Sequence, residues 1–141
     1  MNFKILIQAR LSSTRLPGKV LFKLGDKNYS SLSLMIKRLT QKYELSQIVI
    51  LTTIDKCDDA IYEEANNLNV KCFRGSKEDV LERYYLCSKN LNVDNIIRLT
   101  SDCPFIDVNE VERVLKIHMS NKNDYTTNSF ENSSIVDGMD V

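Results

Sequence analysis

The sequence predicts an α/β protein with three α/β/α layers, in which a mostly parallel sheet is covered by helices on both faces. Short runs of β-branched and aliphatic residues alternate along the chain with segments of helical periodicity, which is typical of βαβ units. The chain has 141 residues and no Pro/Gly/Ser-rich linker, so residues 1–141 are expected to form a single domain. Apolar residues make up 43% of it, which argues against disorder.

The first four strands are predicted where a mostly apolar run of four to seven residues is bounded by polar or turn residues. Such runs are too short for typical helices. The predicted strands are Lys4–Gln8, Gln47–Thr53, Val70–Phe73, Asn95–Leu99 and Tyr125–Asn128.

The helices are predicted between these strands, where apolar residues recur three or four positions apart behind a residue that can cap the helix. Acidic residues in the first turn, such as Asp58 and Asp59, suit the helix dipole. The predicted helices run from an N-cap at Ser31 to about Tyr43, from Asp55 to about Leu68, from Lys77 to Asn90 behind Ser76, and from a capping box at Asp107 to about Met119.

The formal net charge is zero, with 19 Lys and Arg against 19 Asp and Glu. This balance argues against nucleic acid or an anionic membrane surface as a partner. No apolar run approaches the roughly 20 residues that cross a bilayer, and the first residues lack signal-peptide features, so we expect a cytoplasmic protein without membrane association. The charge is unevenly distributed, since residues 1–25 carry five cations and no acid, whereas residues 102–141 carry eight acids and three cations.

The four cysteines are spread along the chain without a Cys-x-x-Cys pair, and there is one histidine. This pattern argues against a structural zinc site and predicts reduced thiols that are buried or half-buried. There is also no Ser/His/Asp or Cys/His constellation that would support covalent catalysis.

Polar side chains follow several of the predicted strands, at the edge where parallel sheets bind their ligands. Four basic side chains and one isolated carboxylate are expected to converge there. These segments are residues 10–19 after the first strand, Thr52 and Thr53 at the second, residues 74–76 after the third and residues 100–102 after the fourth.

The loop after the first strand lacks both the Gly-x-Gly-x-x-Gly and the P-loop fingerprint. Arg10, Arg15 and Lys19 could instead hold a polyphosphate by charge, with the arginines offering a bidentate fork. Hydroxyl and amide groups of residues 12–14 would add neutral donors. A solvated basic loop is an equally good interpretation of the spacing alone.

Asp102 is the candidate metal ligand, because Mg²⁺ is often held by one or two carboxylates together with phosphate oxygens. The alternative is an Asx-turn residue that satisfies the loop backbone. Asp137 and Asp140 could supply a second carboxylate, although Asp-Gly is also a plain turn signal. Arg74 and Arg83 could reach a nucleotide, or Arg83 could pair with a nearby acid.

Four segments, in order, resemble the cytidylyltransferases that make CMP-activated sugar acids, and among these the spore-coat polysaccharide biosynthesis branch. The segments are Ile7-Gln-Ala-Arg-Leu-Ser-Ser-Thr-Arg-Leu-Pro-Gly-Lys19, Phe73-Arg-Gly-Ser-Lys-Glu-Asp-Val-Leu-Glu-Arg-Tyr84, Arg98-Leu-Thr-Ser-Asp-Cys-Pro104 and Asp137-Gly-Met-Asp-Val141. The resemblance implies a Rossmann-like nucleotidyltransferase fold of the glycosyltransferase-A kind. Ser101 departs from the pattern, since relatives usually have glycine there, and its side chain could restrict the approach of substrate.

The resemblance also implies roles for individual residues. Arg10, Arg15 and Lys19 would contact the CTP phosphates, and Asp102 would hold a catalytic Mg²⁺ with Asp140 or Asp137. Together with the strand-end residues above, the candidate nucleotide-binding set is Ala9, Arg10, Ser13, Arg15, Lys19, Thr53, Arg74, Ser76, Arg83 and Ser101.

By the same resemblance, the protein would move CMP from CTP to a sugar-acid acceptor for surface polysaccharide synthesis, as a possible homodimer. Relatives continue beyond the Asp-Gly-x-Asp-Val motif, so a domain truncated at its C-terminus is expected. A non-catalytic module that holds a nucleotide or a partner is the main alternative. A flavodoxin-like receiver domain ranks last, because it needs an acidic cluster where Arg10 stands.

Overall fold

The computed structural model of the chain describes residues 2–12, 16–26, 28–129 and 141. Strands and helices alternate along most of it. The elements are β1 (Phe3–Gln8), β2 (Lys23–Leu24), β3 (Tyr29–Ser30), α1 (Ser31–Leu39), β4 (Ile48–Thr53), α2 (Asp59–Asn67), β5 (Lys71–Gly75), α3 (Val80–Leu91), β6 (Asn95–Thr100) and α4 (Val108–Asn121), with 3-10 turns at Lys19–Leu21, Leu45–Gln47 and Lys56–Asp58.

The main sheet has the strand order β5-β4-β1-β6, and every neighbouring pair is parallel. In the register, Gln8 lies beside Leu51 on one side and Thr100 on the other, and Thr53 lies beside Gly75. The carboxyl ends of all four strands therefore meet at one edge, which we call the carboxyl edge. The mostly parallel α/β fold is confirmed.

Helices cover both faces of this sheet. Ile5 and Ile7 belong to a large core with residues of α1, α2 and α4, whereas Leu6 belongs to a smaller core with Tyr84 and Cys87 of α3. In the central strands β1 and β4 both faces are buried, so consecutive residues are apolar, whereas in the edge strand β6 exposed and buried residues alternate. None of the helices in the described ranges is both long and apolar enough to cross a bilayer.

The start and end of α1 differ from the prediction. The N-cap is Ser30 rather than Ser31, because Ser30 and Ser33 form a reciprocal capping box. The helix ends at Leu39 instead of continuing to Tyr43. Either of two adjacent serines can act as an N-cap, so the sequence alone does not distinguish Ser30 from Ser31. The contact with Ser33 identifies Ser30 as the cap.

The segment between β5 and α3 also differs. β5 extends to Gly75, so Arg74 lies within the strand. Asp79 caps α3 by accepting the Glu82 amide at 2.8 Å, and Ser76 instead accepts the Asp79 amide at 3.1 Å. The prediction that Ser76 caps the helix is wrong.

Two further predictions of regular structure fail. Residues 125–128 form no strand, and the antiparallel pair β2–β3 has no counterpart among the predicted elements. Asp55 begins a 3-10 turn rather than the helix, which starts at Asp59.

The thiols differ in exposure in a way that a labelling experiment can test. Burial raises the pKa of both Cys72 and Cys87 to about 11, whereas Cys57 is exposed, contrary to its expected burial. At pH 8 a pKa of about 11 leaves roughly one thiol in a thousand as the reactive thiolate. A disulfide-exchange reagent is therefore expected to label Cys57 well before Cys72 or Cys87. The labelling of each cysteine over time is measured by mass spectrometry of peptides. The denatured protein provides the control, and equal labelling rates in the native protein would contradict the assignment.

Candidate functional site

One ion pair at the carboxyl edge joins the basic beginning of the chain to its acidic second half. Lys19 Nζ lies 2.7 Å from Asp102 Oδ2. Lys19 opens the 3-10 turn that follows the first loop, and Asp102 lies in the turn that follows β6. Because β1 and β6 are parallel neighbours, the two segments leave the sheet side by side.

The hydrogen bond from Lys19 lowers the pKa of the Asp102 carboxyl, and a hydrogen bond from Thr100 acts in the same direction. Asp102 is therefore ionised at neutral and mildly acidic pH. The stability that the pair contributes is present above the ordinary aspartate range and is lost as the pH falls through the lowered pKa. With the Asp102 side chain 39% exposed, this contribution is below about 1 kcal/mol.

Ser101 fixes the turn that presents Asp102. Its backbone amide donates to the Gln8 carbonyl at 3.0 Å, and its carbonyl accepts from the Ser31 hydroxyl at 2.8 Å. The Ser101 residue is buried. The turn is thereby attached both to β1 and to the start of α1.

The loop after β1 is held to the fold at both of its described ends. Ala9 is buried and donates its amide to the Leu51 carbonyl at 2.9 Å, whereas Arg10 is exposed. The Gly18 amide donates to the Leu11 carbonyl at 3.0 Å, and Gly18 has a φ of +75°, a conformation that favours glycine. Of the residues predicted to bind phosphate, Ser13 and Arg15 lie outside the described ranges.

Asp58 is a buried carboxylate at this site that the sequence analysis assigned only to a helix dipole. Its Oδ1 accepts the Leu11 amide at 2.8 Å, and its Oδ2 accepts the Thr53 hydroxyl. The same Thr53 hydroxyl accepts the Asp55 amide at 3.1 Å. Thr53, a predicted nucleotide contact, is therefore engaged by the protein itself.

Arg74 holds the connection between β4 and α2. Its three nitrogens donate to the Thr53 carbonyl at 2.8 Å, to Asp59 Oδ1 at 2.7 Å and to the Asp55 carbonyl at 2.9 Å. The structure does not bring it into contact with Lys19 or Asp102. Arg74 therefore has a structural role, which is to hold the segment between β4 and α2.

Arg83 is fully buried beneath β5, and burial lowers the pKa of its guanidinium. The charge of Arg10 acts on this pKa in the same direction. Nη1 donates to the carbonyls of Ser76 and Lys77, whereas Nε and Nη2 have no hydrogen-bond partner among the described residues. Within the described ranges Arg83 forms no ion pair with an acid.

Asp137 and Asp140 fall outside the described residues, so the structure gives no contact for either. Among the described residues, no three His, Cys, Asp or Glu side chains gather closely enough to form a metal cluster. Asp102 is the candidate metal ligand that the structure describes at the carboxyl edge, and it is partnered by Lys19.

The parallel sheet, the helices on both faces and the charged carboxyl edge define the class of protein: an α/β domain whose ligand site is expected where the strands end. More specifically, the chain belongs to the cytidylyltransferase family, whose family model matches residues 4–137. The resemblance found in the motifs is confirmed.

Relatives agree with this assignment. The solved structure of a cytidylyltransferase from Leptospira borgpetersenii superposes with a TM-score of 0.90 at 39% identity, covering 99% of this chain and 58% of that one. The spore coat polysaccharide biosynthesis protein SpsF of Bacillus subtilis is 35% identical over 125 residues, 86% of this chain and 51% of its own length. The 3-deoxy-manno-octulosonate cytidylyltransferase of Christiangramia forsetii is 26% identical over 114 residues, 79% of this chain and 44% of its own length. The chain thus spans about half the length of these curated relatives.

Proposed function

We propose that the chain carries the nucleotide site of a Mg²⁺-dependent cytidylyltransferase that moves CMP from CTP to a sugar acid or a related acceptor. Pyrophosphate is the second product, and the activated sugar serves surface polysaccharide synthesis. The observation that carries the proposal is the Lys19–Asp102 pair, which sets the basic loop beside a carboxylate at the carboxyl edge in a chain of this family. The names of the Bacillus and Christiangramia relatives support the polysaccharide and sugar-acid parts.

The reaction needs no protein nucleophile. A hydroxyl of the acceptor attacks the α-phosphorus of CTP, a new P–O bond forms, the bond to pyrophosphate breaks, and the hydroxyl proton is released to solvent. The protein contributes position and opposite charge. Arg10, Arg15 and Lys19 would bind the triphosphate, with Ala9 and Ser13 in the same loop.

The residues present fit a magnesium ion, because an ionised, half-exposed carboxylate and phosphate oxygens form a hard oxygen donor set. Asp102 would hold the ion, with Asp137 or Asp140 as a second carboxylate. When bound, Mg²⁺ would neutralise charge on the phosphates. Lys19, which pairs with Asp102 in this structure, would then exchange the carboxylate for a phosphate oxygen.

The remaining residues predicted to bind the nucleotide hold the backbone segments that surround the proposed site. Thr53 and Arg74 hold the end of β4, Ser101 holds the Asp102 turn, and Arg83 holds the backbone of Ser76. In the proposed enzyme these residues shape the wall against which the nucleoside lies.

A binding module without turnover is the second candidate. The observation that favours it is that Asp102, the proposed metal ligand, is paired with Lys19 in the structure. Such a module would bind CTP through the same loop and release no pyrophosphate.

The two candidates separate in one assay. The protein is incubated with Mg²⁺, each of the four ribonucleoside triphosphates and a panel of sugar acids, and pyrophosphate is measured. Release with CTP that stops when EDTA is added supports the enzyme, and binding of CTP without release supports the module. Equal use of ATP, GTP or UTP would overturn the cytidine assignment.

A further inference from the structure

We infer that Asp58 is a positioning residue for the described parts of the loop after β1, residues 9–12 and 16–19, which we call the phosphate loop. The inference rests on the proposed function for its kinetic consequences, although the contact itself does not. Asp58 holds the Arg10–Leu11 peptide, and through it the two described cations of the loop.

The contact is direct and closed to solvent. Asp58 has no exposed surface, and its Oδ1 accepts the Leu11 amide at 2.8 Å across 47 positions of sequence. Its other oxygen accepts the Thr53 hydroxyl at the end of β4. A buried carboxylate is costly unless its oxygens are satisfied, so this arrangement strongly favours the observed position of the Leu11 amide.

The position of Asp58 in its own helix makes this contact unusual. Asp58 is the N-cap residue of α2, yet its side chain makes no capping bond to that helix. Aspartate at an N-cap ordinarily accepts an amide of the following turn. Here the carboxylate is directed away from α2 to the phosphate loop, which indicates that its role is to hold the loop.

The effect of Asp58 extends along the loop to the charged pair. Leu11 is bound on both sides, since its amide donates to Asp58 and its carbonyl accepts the Gly18 amide at 3.0 Å. Gly18 directly precedes Lys19, which contacts Asp102. A continuous series of contacts therefore connects Asp58 with both Arg10 and Lys19.

The kinetic test compares Asp58→Leu with Asp58→Asn. Asparagine keeps an oxygen that accepts the Leu11 amide, and its NH₂ group can donate to the Thr53 hydroxyl oxygen. Leucine keeps neither contact. The leucine variant is expected to raise KM for CTP by roughly 10- to 100-fold, because displaced cations bind the triphosphate poorly. The asparagine variant is expected to stay within a few-fold of the unmodified protein. A purely structural role would lower the amount of active protein and leave KM unchanged.

A second measurement does not depend on the proposed function. Trypsin cleaves after arginine, and the amide of the Arg10–Leu11 bond is the group that Asp58 binds. Cleavage at this bond is expected to be faster in Asp58→Leu and unchanged in Asp58→Asn. If the unmodified protein neither binds nor turns over CTP, the proposed function fails, while the cleavage rate still decides the role of Asp58.

Asp107→Leu is the matched control for Asp58→Leu, because Asp107 also accepts a backbone amide, that of Asn109 at 2.8 Å, but caps α4. It is expected to lower the melting temperature without changing KM or cleavage at Arg10. Should Asp58→Leu fail to fold, Thr53→Val removes the second contact of Asp58 and is expected to shift KM and cleavage in the same direction by less. Unchanged cleavage and KM in both Asp58→Leu and Thr53→Val would overturn the inference.

Discussion

Replacing Asp102 with asparagine is expected to lower the rate of pyrophosphate release by about 100-fold or more, a typical cost of removing one charged group from a reacting phosphate site. The substitution removes the carboxylate proposed to hold the metal and also the partner of Lys19. The melting temperature should change little, because a half-exposed ion pair is worth under about 1 kcal/mol. Pyrophosphate release and thermal unfolding on the same preparation measure the two effects.

Glu112→Gln is the control for removing a surface carboxylate that pairs with lysine. Glu112 bonds Lys116 and Lys42, and these bonds lower its pKa to about 2. It lies on α4, and within the described residues its ion pairs are with Lys42 and Lys116, neither of which is a candidate site residue, so activity should be preserved. An Asp102→Asn protein that keeps most of its activity would remove Asp102 from the proposed metal site.

The centre of the main sheet could be predicted because β1 and β4 are buried on both faces, which produces uninterrupted apolar runs. The observed bounds of β1, β4 and β6 match the predicted ones within one residue. The β2–β3 pair could not be predicted in this way, since each strand has two residues and β2 is exposed. Residues 125–128 have strand-like composition, but composition alone does not supply a neighbouring strand to pair with.

The candidate site was predictable where its residues follow strands. Lys19 and Asp102 were placed at the same edge by the geometry of parallel sheets, and the structure joins them. Asp58 was not predictable, because its contact with Leu11 spans 47 positions of sequence and its own position suggests an acidic residue in the first turn of a helix. The roles assigned to Arg10, Arg15 and Asp102 in binding CTP and metal stay predictions.

Replacing Gly75 with alanine is expected to destabilise the protein by about 1–3 kcal/mol, the range for overpacking a close contact. A Cβ on Gly75 would lie 2.9 Å from Arg83 Cγ and 3.4 Å from the Phe73 ring. Arg83 cannot easily move away, since it is fully buried and bonded to the Ser76 carbonyl. In thermal unfolding, each kcal/mol corresponds to about 4 °C for a domain of this size.

A double-mutant cycle with Arg83→Ala identifies the clash as the cause. Arg83→Ala removes the Cγ atom that the new methyl group would meet, so Gly75→Ala should cost much less in that background. Arg83→Ala alone also destabilises, because the carbonyls of Ser76 and Lys77 lose their donor. The expected result is therefore a coupling free energy of about 1 kcal/mol or more between the two positions. Strict additivity would show that Gly75 is required for a reason other than the packing of Arg83 beneath β5.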